Sequence, residues 1–135
     1  RLHWALVEPG IAEEAEAGLD PRDGLGDQRL SLTCDPERLE EATATMLAEV
    51  ESLPQHVTPE DLERIKAKVA TGVTLAGERP EGRMHRLGRL WAYGQGYTSL
   101  EDELARINRV SVHDVLSVIE QHPWTPQTTG TLLPA

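Results

Sequence analysis

At 135 residues the chain has room for one domain with a real core and not for two. Thirteen basic against 23 acidic residues give a formal net charge of −10, which argues against a nucleic-acid surface, since that needs many Lys and Arg facing phosphates. The single cysteine, Cys34, excludes an internal disulfide and a cysteine-based metal site, and no apolar run approaches the roughly 18 residues of a membrane span.

The charge is uneven. Residues 1–53 hold 13 acidic and 4 basic side chains, a net of −9, whereas residues 54–135 hold 10 and 9, a net of −1. The acidic half reads as a solvated face, with a wall that attracts basic peptides as the sharper alternative. There is no Phe, so Leu, Val, Ile, Ala and three Trp must fill the interior.

In chain order, residues 1–7 place Leu2 and Leu6 at helical spacing, and Pro9-Gly10 stops that helix. Residues 11–19 carry Ile11, Ala15, Ala17 and Leu19 on one parity, a half-buried strand, and Asp20-Pro21-Arg22-Asp23-Gly24 reads as a turn. Leu30, Leu32 and Cys34 alternate with polar residues, so a second strand returns antiparallel after a longish loop. Asp35-Pro36-Glu37 then opens a helix with the stripe Leu39, Ala42, Met46, Val50 and Leu53, which Pro54 ends. Thr58-Pro59-Glu60-Asp61 opens the next, with Leu62, Ile65, Val69 and Val73 as its apolar stripe. Gly77, Pro80 and Gly82 predict either a kink or a break into two helices, after which Met84, Leu87 and Trp91 continue an apolar face. Thr98 or Ser99 caps a shorter helix with Leu100, Leu104 and Ile107 inward, and Ser111 with Asp114 forms a capping box for the last. Residues 128–133 read as a closing strand. Strands and helices are grouped rather than alternating, so the expected fold is α+β: a small antiparallel sheet with several helices packed on one face. Because three strands are few for an independent sheet, the domain reads as incomplete at its N-terminus.

Little in the chain carries catalytic chemistry. His3, His56, His85, His113 and His122 form neither an HExxH nor an HxxEH arrangement, so one helix does not present two imidazoles to zinc. Cys34, alternating with leucines, reads as core rather than nucleophile. Arg79, Arg83 and Arg86 would share a face of a continuous helix, either as a solvated face paired to the acidic half or as a docking patch for an acidic partner. Trp91 falls on the apolar stripe and reads as core.

The ordered set of motifs resembles the C-terminal, non-zinc-binding domain of the M16 peptidases, the family of pitrilysin, insulin-degrading enzyme and the mitochondrial processing peptidases. Arg1-Leu2-His3-Trp4-Ala5-Leu6 resembles the family's helix ending, and Gly10-Ile11-Ala12 stands where Gly-Leu-Ala is usual. Asp35-Pro36-Glu37-Arg38-Leu39, Val57-Thr58-Pro59-Glu60-Asp61-Leu62-Glu63-Arg64 and Ser111-Val112-His113-Asp114-Val115 follow in the family's order. The resemblance implies a single M16-like half-domain over residues 1–135, a catalytic half or subunit as partner, and an enclosed peptide as substrate. It implies no nucleic acid, no membrane and no cofactor in this chain, with zinc held in the catalytic half of an active parent. It also makes the turn bearing Gly10, Ile11 and Glu13 the substrate-facing segment. The family's substrate-contacting Arg and Tyr fall on Val7 and Glu13, with one residue fewer between them. Neither side chain replaces the lost one, because Val donates no charge-assisted hydrogen bond and Glu brings the wrong charge to a developing oxyanion. The chain alone is therefore expected to be inactive, and a structural or assembly role in an inactive homologue is the alternative.

Overall fold

The computed structural model describes residues 1–22 and 24–134. The chain divides into two compact units, one of residues 1–56 with 122–135 and the other Val57–Gln121.

The first unit opens with a single wide helical turn, His3–Val7, closed by a bond from the Glu8 N–H to the His3 carbonyl at 2.9 Å. Two antiparallel strands follow, β1 (Glu14–Arg22) and β2 (Leu25–Thr33), paired from Glu14↔Thr33 to Arg22↔Leu25. The expected turn at residues 20–24 is thus shorter: the ladder runs through Pro21, leaving only positions 23 and 24 between the strands, with Gly24 at φ +71°. The part of that turn at Asp23 lies outside the described residues. Pro21 is tolerated because a two-stranded ribbon has only edge strands.

A short 3₁₀ turn, Pro36–Arg38, leads into α1 (Leu39–Glu51). The core is the cluster of Leu6, Ala12, Ala42 and Met46, against which Ile11, Ala15, Leu30, Leu32 and Cys34 pack. Cys34 therefore belongs to the core margin, as its strand alternation predicted. Only the base of the ribbon shares in this core, since Ala17 and Leu19 are exposed. Nine strand residues span about 30 Å and thirteen helical ones about 20 Å, so the far end of the ribbon outruns its support. Arg1 bonds Glu49 through Nη2 at 2.7 Å and ties the chain start to α1. Residues 128–133 form no strand. Their Thr and Leu alternation satisfies a strand period, but no backbone ladder partner meets it.

The second unit contains α2 (Pro59–Glu78), α3 (Pro80–Ala92), α4 (Leu100–Arg109) and α5 (Val112–Gln121). The interruption at residues 77–82 is a break between two helices, with Arg79 extended at φ −91°, ψ 131°, as expected of a residue preceding proline. Ser99, not Thr98, caps α4, accepting the Asp102 N–H at 3.0 Å. Leu100, Leu104 and Ile107 are half-buried as expected.

The buried face of α2 differs from the expected stripe. Leu62 and Lys66 are buried, whereas Ile65 and Val69 are 55% and 44% exposed. Lys66 buries its stem and satisfies its ammonium with Glu63 at 2.8 Å and the Asn108 carbonyl at 3.1 Å. Helical periodicity located Leu62 and Val73, buried and half-buried, but packing against α4 turned the buried face toward Lys66 and away from Ile65 and Val69. α3 behaves likewise: Arg86 and Leu90 are half-buried while Met84 and Trp91 are 62% and 82% exposed, so Trp91 is not core.

Candidate functional site

The segment singled out by sequence, residues 6–13, forms one tightly tied turn. Leu6, fully buried, accepts the N–H groups of both Ile11 and Ala12 on its carbonyl, at 2.8 and 2.9 Å. Gly10 sits at φ +70°, the left-handed conformation that reverses the chain after a helical turn, and its N–H donates to the Val7 carbonyl at 2.9 Å. Arg38, held by bonds from Nε and Nη2 to Glu41 at 3.1 Å, reaches back to donate to the Gly10 carbonyl. Glu13 donates its N–H to the Thr33 carbonyl at 2.8 Å, which locks the turn to the base of the ribbon.

The three candidate residues thus lie in one turn with different exposure. Gly10 and Glu13 are exposed, and Ile11 is half-buried against the core. Val7 is half-buried and carries no polar atom beyond its backbone. The scaffold of the turn is fully built, yet the side chains at positions 7 and 13 offer an aliphatic surface and a carboxylate.

A cleft of about 650 Å³ lies in the same unit, between β2, α1 and residues 124–134. Leu30, Leu32, Met46, Trp124 and Leu132 are among its lining side chains. The expected strand at residues 128–133 gave no sign of this cleft, which those residues line while staying exposed, Leu132 at 98%.

Among the described residues no group of three His, Cys, Asp or Glu side chains stands close enough to hold a metal ion. His3 and His85 each face one glutamate, Glu8 at 3.6 Å and Glu81 at 3.7 Å, and His56 Nδ1 lies 2.8 Å from the Ser52 carbonyl. All five histidines are exposed. These are surface and helix-end positions, and no two converge.

The family model for the Peptidase M16 inactive domain matches residues 1–69, just over half of the chain. The chain belongs to the M16 peptidase family as its inactive, non-zinc-binding C-terminal domain. No curated protein matches it.

Proposed function

We propose that this chain is the non-catalytic half of an M16-like metallopeptidase, packing against a catalytic half and helping to enclose an extended peptide. In this reading both units form parts of one M16-like C-terminal domain. The observation that carries it is the turn at residues 6–13, whose backbone bonds are all in place around Gly10 and Ile11. Enclosure needs only a shaped wall, which orients the peptide for chemistry done elsewhere. Zinc, where the parent is active, belongs to the catalytic half, and no step of the reaction runs through a side chain of this one.

Val7 and Glu13 favour a second reading, an assembly module in an inactive homologue. Here the domain stabilises a complex without contributing to turnover. The two readings separate when the chain is added to its purified catalytic half and cleavage of a quenched fluorescent peptide is followed. A rate above that of the catalytic half alone supports enclosure. A stoichiometric complex with no gain in rate overturns enclosure and leaves the assembly role.

A further inference from the structure

The second unit contains a charged cleft of its own, far in sequence from the turn at residues 6–13. After α3 the chain reverses through Gly94 at φ +65° and Gly96 at φ +69°, conformations that side chains with a Cβ rarely adopt. Between them Gln95 donates its N–H to the Leu90 carbonyl at 2.9 Å. The result is a cleft of about 380 Å³ between the end of α3 and α4. Leu90, Ile107 and Val110 supply its apolar wall, and Arg89, Gln95 and Arg106 its polar one.

The charges in this cleft are not balanced internally. Glu103 also lines it, but its carboxylate is taken by Arg86, whose Nε lies 2.5 Å away and whose Nη2 donates to the Thr98 carbonyl at 2.6 Å. Arg89 and Arg106 are exposed and have no hydrogen-bond or ion-pair partner among the described residues. With Glu103 neutralised by Arg86, which does not itself line the cleft, the two lining guanidiniums Arg89 and Arg106 stay open, in a chain whose net is −10. With 23 acidic residues available, two guanidiniums left open in one cleft beside an aliphatic wall describe a place for a carboxylate brought by another molecule.

We propose that the α3–α4 cleft binds an acidic peptide segment, its Glu or Asp carboxylates pairing with Arg89 and Arg106 while a neighbouring aliphatic side chain lies against Leu90, Ile107 and Val110. Gln95 adds a neutral donor for the peptide backbone. The cleft holds a few side chains rather than a folded surface, within the range of roughly 300–1,000 Å³ usual for small-ligand pockets. Charge complementarity favours a peptide of alternating acidic and aliphatic residues over a simple anion, because a simple anion leaves the aliphatic wall uncovered. This site is independent of the enclosure reading, and its test uses this chain alone.

The probe is a fluorescein-labelled peptide in which glutamates flank a leucine, compared with its glutamine counterpart by fluorescence anisotropy. The glutamate peptide should bind at least about tenfold more tightly, and the gap should shrink at high salt. Arg89→Gln with Arg106→Gln should abolish that preference. Both positions are exposed, and circular dichroism should show an unchanged helical signal in this double variant. Equal binding of the two peptides, or undiminished binding by the folded double variant, overturns the proposal. So does displacement by inorganic phosphate together with equal binding of a leucine-free acidic peptide, which would identify a plain anion site.

Discussion

Asp114 shows how much one side chain settles at the start of a helix. It accepts the Ser111 hydroxyl at 2.7 Å and the Ser111 N–H at 2.8 Å, while its own N–H donates to the Ser111 Oγ at 3.2 Å. The hydroxyl bond first, and the backbone bond second, hold its carboxyl below the ordinary value of 3.8. A carboxyl whose folded value lies below its unfolded one stabilises the fold fully above pH 3.8 and ceases to do so as pH falls through the folded value. Asp114→Asn should therefore lose helical signal on heating earlier than the parent at neutral pH, and the difference should close below pH 3.8. Circular dichroism melts across an acid pH series check this; a constant difference down to the lowest pH would contradict it. Thr58 with Asp61 and Ser99 with Asp102 repeat the motif, each hydroxyl accepting an N–H and donating to the carboxylate. These caps were legible in sequence because all their atoms lie within four residues. Lys66 was not legible: its burial depends on Asn108, 42 residues away.

Between α2 and α3 the decisive element is a close approach of backbone. A Cβ at Gly82 would stand 2.2 Å from the Ala76 carbonyl oxygen, a backbone atom that a rotamer change cannot remove. Gly88, further along α3, has nothing within 4 Å of the same position. In an open helix interior Gly→Ala stabilises by roughly 0.5–1 kcal/mol through backbone entropy. Gly88→Ala should follow that rule. Gly82→Ala should reverse it, losing about 1–3 kcal/mol because the joint must open to relieve the overlap. Urea denaturation of the two variants against the parent decides it, and equal gains at both positions would contradict the close joint. Sequence punctuation at Gly77, Pro80 and Gly82 announced an interruption here but not its form. The exposure of Trp91 was hidden for a related reason, since its face of α3 was fixed by Arg86 turning inward to Glu103 and Thr98.

For the molecule as a whole, the order of motifs carried the family assignment, and the family model independently covers the N-terminal half. The α+β class and the pairing of two antiparallel strands followed from period-2 and helical patterns. The extent of the ribbon did not, because strand length depends on pairing rather than on burial, and residues 17–22 pair without being buried. That unsupported ribbon has a colloidal consequence. Among the described residues β1 and β2 have no third strand, so each keeps a free row of backbone donors and acceptors, with Leu19 and Leu25 66% and 78% exposed beside them. Such an edge is a template for the same edge in another molecule. Charge opposes that pairing: Glu14, Glu16, Asp20 and Asp27 stand on the ribbon against only Arg22 and Arg29, and Arg22 pairs with Asp20 at 3.0 Å. Acidification toward the isoelectric point of about 4.9 removes that repulsion and should bring ribbons together edge to edge, with light scattering and β-type circular dichroism rising in step. Scattering that rises with no gain in β signal would place the association elsewhere. The acidic half of this chain is then an insulating coat over an open ladder, and its protection lapses at mildly acid pH.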